Sequence, residues 1–565
     1  MKIILEQSKY HRFALYYDYD QNKVNFCRDL KDGFGWDRFS FDSQGTLKRW
    51  VFSDSLFIPV IVERFPEVEI EPRVAEIVAY EQKWAKNQLE KDKEIDEIKI
   101  KTDTEFSIKG LKKELYNYQK IDVEFLVASG GRALIASEMG TGKTAITLSY
   151  IKYMGYKRSL VVCPASVKFV WEGEVKKWAN LKSVVINSKT NLANIDPTVQ
   201  IWIINYDILR KHFSQLSKIR FNAIVGDEAI YIKNSQSIRC KAFRTLSRDI
   251  PSVVLLSGAP LLNRPAELFS LLNVIDQKTW NNWYDFARKF CNMHQTRWGV
   301  DTSGASNIEE LHARIKRYFI RRLKKDVLSE LPPKIFIPIP IQLKASVAKE
   351  YNIAANNLAI YLRQYSGKQP PAIAKSMTAE KLIQLNILRQ VTAMGKVDTA
   401  IELIDSIIDS GEKVLIYCSF VGPLECLKEH YRDKAVIITG KTPVKDRRDI
   451  VDAFQNNSKI QIFLGGYKSA GTGVTLTAAS NFIGLDFPWS NADLFQAIDR
   501  LHRPGQKANS VNIYQISAKD TIDEDMKDML DHKQNIFDTV IDGKVKKEKT
   551  ISAMEKATER ILKNY

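Results

Sequence analysis

Arg132-Ala-Leu-Ile-Ala-Ser-Glu-Met-Gly-Thr-Gly-Lys-Thr144 is the stretch whose reading decides the fold. Ala133 to Ala136 is a short apolar run of the kind a buried strand uses, and Ala145 to Tyr153 carries a helical pattern. A strand, a glycine turn and a helix start in that order form an anion cradle. Backbone N–H groups freed at Gly140 and Gly142 point inward, the helix N-terminus adds partial positive charge, and Lys143 supplies a full one. Thr144 is placed to ligate Mg²⁺ bound to the same phosphates. A strict phosphate loop wants glycine at 137, where the chain has Ser137; the flanking strand and helix offset that departure. The competing reading is a glycine turn that merely joins strand to helix.

Outward from this stretch, apolar runs alternate with helical stretches from Glu105 to about Pro260. The runs are Ala133–Ala136, Leu160–Cys163, Ile201–Ile204, Ala223–Val225 and Val253–Leu256. Alternation of this kind means a parallel sheet covered on both faces. After Pro265 the pattern is helical and basic as far as Val327, and residues 341 to 395 continue helical. A second alternating block follows, with runs at Val414–Tyr417, Val436–Ile438, Ile460–Leu464, Phe482–Leu485 and Val511–Ile516. Two such blocks separated by helices imply two lobes with a cleft between them.

Residues 1 to about 70 read as short strands at Arg12–Tyr17, Val24–Phe26 and Leu56–Val62, with turns at Asp20-Gln-Asn22 and Lys31-Asp-Gly-Phe-Gly35. Trp36, Phe39, Phe41, Trp50 and Phe52 interleave with Arg38, Lys48 and Arg49. Such a mixture suits either a nucleic-acid surface or a small β core with solvated cations. From Pro72 to about Lys101 the pattern is charged and helical, an exposed helix or linker.

A chain of 565 residues holds more than one domain. No run approaches the ~18 apolar residues of a membrane span, and Met1-Lys-Ile-Ile-Leu-Glu6 turns charged too soon for a signal peptide. Six cysteines without CxxC spacing read as reduced thiols rather than disulfides or zinc ligands. A formal charge of +17 and a pI near 9.3 point towards a polyanionic partner.

Ala223-Ile-Val-Gly-Asp-Glu-Ala229 puts two carboxylates just beyond a buried strand, where the metal of a bound nucleotide would lie. Asp227 would hold Mg²⁺ and Glu228 would orient and deprotonate the attacking water. A lone Asp-Glu is usually a solvated turn; joined to an upstream phosphate loop, it indicates ATP hydrolysis. In Gln496-Ala-Ile-Asp-Arg-Leu-His-Arg-Pro-Gly-Gln506, a helix would present Gln496, Arg500 and Arg503 on one face. From the second lobe these arginines would reach the γ-phosphate.

With these residues assembled, the chain resembles a Swi/Snf-type DNA translocase of helicase superfamily two from about residue 110 to 543. Leu115-Tyr-Asn-Tyr-Gln119 resembles the adenine-reading glutamine motif, and Glu138-Met-Gly-Thr-Gly-Lys-Thr144 the first ATPase motif. Val162-Cys-Pro-Ala-Ser166 and Asn205-Tyr206 resemble motifs that touch the DNA backbone. Leu256-Ser-Gly-Ala-Pro260 is similar to the coupling motif, with Ala259 where threonine is usual. Arg321-Arg-Leu-Lys-Lys-Asp-Val327 and Leu331-Pro-Pro-Lys334 resemble signatures special to the family. Lys413–Phe420, Ser469–Thr477, Asp486-Phe-Pro-Trp489 and Gln496–Gln506 match second-lobe motifs. Ile230 stands where the family usually has a histidine that links hydrolysis to movement. Isoleucine neither donates nor accepts, so the strength of that coupling is open. Gly35-Trp-Asp-Arg38 and Leu47-Lys-Arg-Trp-Val-Phe52 resemble the accessory module of annealing helicases.

The resemblance implies an α/β fold: two RecA-like parallel-sheet lobes with helical insertions, preceded by a small β-rich N-terminal domain. Expected boundaries are an accessory domain over 1–71, a charged helical linker over 72–105 and a first lobe over 106–264. Helical insertions over 265–395, a second lobe over 396–543 and a basic helix or tail over 544–565 complete the chain. It implies ATP and Mg²⁺, with Lys143, Asp227, Glu228, Arg500 and Arg503 catalytic and Thr144 and Asp227 on the metal. Gln119, Glu138, Met139, Gly140, Thr141, Gly142, Lys143, Thr144 and Gln496 would hold the nucleotide. Pro164, Ser166, Asn205, Tyr206, Arg321, Arg322, Ser419, Gly471, Thr472 and Trp489 would meet double-stranded or branched DNA. The expected protein is a monomer working with replication or repair proteins, off the membrane. Its expected place is the cytoplasm (nucleoid or infected bacterial cell), or the nucleus for a eukaryotic source. Two other functions stay open: a strand-separating helicase on DNA or RNA, and a nucleotide-gated DNA-binding scaffold.

Overall fold

The computed structural model describes residues 1–5, 12–34, 39–42, 49–52, 55, 57–260, 264–296, 299–328, 330–356, 377–443, 446–470 and 474–543. The chain forms two compact units, Met1–Glu97 and Ile98–Tyr565. In the first, strands β1 (Lys2–Leu5), β2 (Phe13–Tyr16), β3 (Phe39–Asp42), β4 (Arg49–Phe52) and β5 (Glu69–Ile70) form a sheet in the order β3-β4-β2-β1-β5. Phe39 packs its ring against Phe52 at 5.3 Å and Phe57 at 5.2 Å, and Trp50 is buried beside them. Arg49 is held by Asp42 and the Tyr16 hydroxyl. In these residues the aromatic content makes a core, while Trp36, Arg38, Lys48 and most of the two short accessory-module matches lie outside the described residues.

Two expected strands here are helices. Val24–Phe26 falls inside Gln21–Phe34, and the described part of Leu56–Val62 falls inside Phe57–Arg64. Asp20 starts the first by accepting from the N–H groups of Asn22 and Lys23, and Cys27 and Leu30 then share the buried face three residues apart. In the second, Phe57, Ile58 and Ile61 are buried at helical spacing. Period three to four decided both. A helix over Pro72–Ile100 follows, with Val74 in this core.

In the second unit β6 (Arg132–Ile135), β7 (Ser159–Cys163), β8 (Ser183–Val185), β9 (Ile201–Asn205), β10 (Ala223–Asp227) and β11 (Ser252–Leu256) form a parallel sheet. A hairpin of β12 (His294–Thr296) and β13 (Gly299–Asp301) precedes β14 (Phe319–Ile320), which joins that sheet beside β6. The sheet order is β14-β6-β11-β10-β7-β9-β8. The expectation of an unbroken basic helical pattern to Val327 therefore fails: Phe319 and Ile320 are buried, and β6 offered them an open edge.

The second lobe contains β15 (Lys334–Ile341), β16 (Val414–Cys418), β17 (Ala435–Ile438), β18 (Ile462–Gly466), β19 (Asn481–Gly484) and β20 (Val511–Ala518), all parallel, in the order β15-β20-β19-β16-β18-β17. Alternate residues of β16 serve opposite cores: Val414, Ile416 and Cys418 on one face, Leu415 and Tyr417 on the other. β15 tolerates Pro338 and Pro340 because it is an edge strand. The helix Ile522–Val540 spans both lobes. Ile522, Met526, Met529 and Leu530 pack with Tyr351, Leu385 and Leu388, whereas Ile536, Phe537 and Val540 enter the first-lobe core. The six cysteines are free, and no described helix is long and apolar enough to cross a membrane.

Candidate active site

Parallel strands deliver their C-terminal ends to one edge of a sheet, which is where α/β proteins build ligand sites. β6 delivers the glycine loop there, β10 delivers Asp227 and Glu228, and β11 delivers Ser257 and Gly258. Gly140 and Gly142 take φ of +85° and +87°, the left-handed region that suits glycine, and the helix Lys143–Tyr153 begins at once. A Cβ on Gly142 would lie 2.3 Å from Nε2 of Gln119, and the φ there is one that L side chains rarely adopt. Ser137 has a use that a glycine could not serve: its buried hydroxyl accepts the N–H of Arg322 at 3.0 Å.

Lys143 folds back on its own loop, donating to the carbonyls of Ser137 at 2.8 Å and Glu138 at 3.1 Å. Burial lowers its pKa, and the nearby carboxylates of Glu228 and Asp227 oppose that fall. Asp227 Oδ2 accepts the indole N–H of Trp171 at 2.7 Å, and Oδ1 accepts the N–H of Glu228 at 3.0 Å. Burial raises both carboxyls; Glu228 is pushed up to about 7, helped by the charge of Asp227 and opposed by Lys143 and Arg500. Glu228 also adopts φ +51°, a left-handed conformation that few residues other than glycine take.

The second lobe reaches this loop. Arg500 Nη2 lies 3.5 Å from Sδ of Met139, and a Cβ on Gly140 would lie 3.8 Å from Cγ of Arg503 and 3.3 Å from Cε of Lys324. The helix carrying Gln496 stops at Ile498, so the expected single helical face is corrected. Arg500 and Arg503 sit in the turn beyond it, their Nε groups donating to the carbonyls of Gln496 and Asp499. Burial and the charge of Arg500 lower Arg503 to about 9. Two second-lobe guanidinium side chains and the Lys324 stem thus stand against one glycine loop.

Around the loop, Thr141 donates to the Glu138 carbonyl at 2.8 Å, and its own carbonyl accepts from Tyr118 and Gln119. Glu138 accepts the N–H of Lys324 at 2.6 Å. Thr144 is half-buried at the helix start. Beside Gln119 opens a cavity of about 680 Å³ whose walls include Tyr116, Tyr118 and Arg322. Thr144 and Asp227 supply the hard oxygen donors that Mg²⁺ takes, and the glycine loop leaves room for phosphate, so the residues present fit both groups.

Of the side chains expected at DNA, Ser166 is half-buried and Ser419 and Trp489 are exposed. Others are buried or have partners within the chain. Arg321 is committed to Asp542 at 2.5 Å, the Ala136 carbonyl and the Phe537 ring, and Arg322 to Asp122 at 2.9 Å. Pro164 and Asn205 are buried, and Tyr206 is buried with its hydroxyl on the Asp227 carbonyl. Gly471 and Thr472 lie outside the described residues. Ile230 is half-buried beside Glu228. Trp171, Lys324 and Asp499 were not anticipated as site residues; their bonds join segments far apart in the chain, which no local pattern announces.

Residues 82–391 match the SNF2-related domain and residues 395–505 the helicase conserved C-terminal domain. The DNA annealing helicase and endonuclease ZRANB3 of Mus musculus is 30% identical over 467 residues, 79% of this chain and 42% of that protein. The SWI/SNF-related matrix-associated actin-dependent regulator of chromatin subfamily A-like protein 1 of Xenopus tropicalis is 30% identical over 503 residues, 87% of this chain and 51% of that one. The chain thus spans about half the length of these relatives, or less. A solved Sulfolobus solfataricus SWI2/SNF2 ATPase core in complex with dsDNA is 25% identical, covers 81% of this chain and 98% of that chain, and has a TM-score of 0.38. Because the SNF2-related match alone takes in more than half of its residues, the chain belongs to the SNF2-related family of helicase-type ATPases.

Proposed function

We propose that the protein is an ATP-dependent translocase on double-stranded DNA that remodels branched DNA, by branch migration, fork reversal or strand annealing, with hydrolysis coupled to lobe closure. The observation that carries the reading is the approach of Arg500 and Arg503 from the second lobe to Met139 and Gly140 of the phosphate loop in the first. Its substrate class is supported by the annealing-helicase relative and by the net charge of +17. In this reading Lys143 leaves its loop carbonyls for the β- and γ-phosphates, and Gln119 and the adjoining cavity receive the base. Glu228, with its raised pKa, accepts the proton of a water attacking the γ-phosphorus as the bond to the ADP oxygen breaks. Arg500 and Arg503 stabilise the charge that develops on the transferring group. Thr144 and Asp227 would hold Mg²⁺, which supplies Lewis-acid neutralisation of the phosphates when bound.

DNA is held through the Ser166, Asn205, Thr472 and Trp489 neighbourhoods, mainly at its backbone. Contacts of that kind carry no base information and weaken steeply with salt. Ile230 favours one further reading, a nucleotide-gated DNA-binding scaffold with weak coupling. ATPase rates on duplex, fork, four-way junction, single strand and RNA, beside a Lys143→Ala control, test the proposal. We expect duplex and branched DNA to stimulate most. Stimulation chiefly by single strands or RNA would move the protein to the strand-separating helicases. ATP-dependent DNA binding with hydrolysis no higher than the control would leave the scaffold.

A further inference from the structure

Ile230 removes the side-chain hydrogen bond that a histidine there could make, yet Asp227 is tied to two other segments of the first lobe. Trp171 is 1% exposed and donates its indole N–H to Oδ2 of Asp227 at 2.7 Å. It lies in the helix Lys168–Trp178, which follows the short turn Ala165–Val167 containing Ser166. The first turn of that helix leaves Phe169 65% and Val170 46% exposed, so one end of the helix faces solvent while Trp171 faces the carboxylate. The second tie comes from Tyr206, also 1% exposed, whose hydroxyl donates to the Asp227 carbonyl at 2.9 Å. Tyr206 directly follows Asn205 at the end of β9, and its ring stacks on Tyr231 at 5.4 Å with 10° between the planes. Both segments that resemble DNA-backbone motifs therefore end, within a few residues, on one aspartate.

We infer that Trp171 and Tyr206 are positioning residues that couple DNA binding to the ATP site by setting the orientation of Asp227. The inference rests on the reading of Asp227 as a metal ligand and of the Ser166 and Asn205 segments as DNA-facing. Hydrogen bonds to both carboxylate oxygens hold the side chain of Asp227, and the Tyr206 bond to its backbone carbonyl holds the main chain beneath it. Movement of the Lys168–Trp178 helix on DNA transmits directly to Oδ2, because the donor is a rigid ring with no freedom to stretch. Partners that orient a metal-ligating carboxylate typically change affinity or activity on the order of 10–100-fold when removed.

The test uses the full chain with Trp171→Phe and Tyr206→Phe, each keeping a ring and deleting the donor. Two quantities are read: the ratio of ATPase rates with and without duplex DNA, and the affinity for a fluorescent non-hydrolysable ATP analogue with Mg²⁺, with and without that duplex. In W171F we expect the stimulation ratio to fall on the order of tenfold, and the DNA-induced tightening of the analogue to be lost. DNA affinity itself should stay within about twofold, since the indole is buried away from solvent. Y206F should act in the same direction and carries the test if W171F fails to fold. Equal losses with and without DNA, or an unchanged ratio in the folded variants, would overturn the inference. A wild-type protein that hydrolyses ATP but ignores every DNA would instead overturn the function on which it rests.

Discussion

His502 shows how far a single side chain is committed to the join between the lobes. Its Nε2 lies 2.9 Å from the carbonyl of Pro332, it is 5% exposed, and burial with Lys334 and Lys324 nearby lowers its pKa from 6.5 to about 4. Between those values the unfolded chain takes up a proton that the folded one refuses. Stability from this group is therefore complete above about pH 6.5 and is lost as pH falls towards 4. Wild type should unfold at lower urea at pH 5 than at pH 7, and His502→Gln should flatten that difference. Identical slopes in the two proteins would show that the imidazole is not the sensor. Neighbouring residues repeat the lesson that a departure from a motif can have a local use. Ser137 breaks the strict phosphate-loop pattern and captures the Arg322 N–H in exchange.

Among the elements, the segment Lys324–Val327 holds the second-lobe arginines to the first-lobe loop. Lys324 donates to the His502 carbonyl at 2.7 Å and pairs with Asp499 at 2.9 Å, while its own N–H bonds Glu138. Lys334 of β15 shares Asp499 at 3.0 Å, so one buried carboxylate is bracketed by two ammoniums from either side of the junction. Lys324→Met keeps the stem and deletes the charge. With Lys334 still in place, the loss should be about 1–3 kcal/mol rather than that of an unpaired ion. We expect kcat for ATP to fall on the order of tenfold with little change in KM, because the arginines lose their anchor and not the loop its shape. A raised KM with unchanged kcat would mean that Lys324 serves ground-state binding instead.

Across the whole molecule, the helix Ile522–Val540 is rooted in both lobes, and its far end is fastened by Phe537 under the Arg321 guanidinium at 4.8 Å. Phe537→Ala should cost about 3–5 kcal/mol where that ring is buried. It should also split one unfolding transition into two, read by calorimetry; a single transition shifted as a whole would show that the lobes are joined chiefly elsewhere. The same scale separates what local pattern could reveal from what it could not. Alternating apolar runs disclosed the major strands of both lobes, since a parallel strand buried on two faces has a continuous apolar signature. Gly140, Gly142 and Lys143 disclosed the glycine turn between strand and helix, because its pattern sits within a few residues. The edge strands β14 and β15 were hidden: two residues carry no period, and the prolines of β15 disguise the other. That Arg321 pairs with Asp542, Arg322 with Asp122 and Tyr206 with the Asp227 carbonyl was hidden too, because charge and aromaticity say nothing about which way a side chain turns. So the sequence alone determined the major strands of the two lobes, the glycine turn and the identity of the charges, all of which are local. Only the folded molecule decided that Trp171 meets Asp227, that Lys324 meets Asp499 and that Arg500 meets Met139. Those contacts join residues 56, 175 and 361 positions apart, and packing, not pattern, brings such distant groups together.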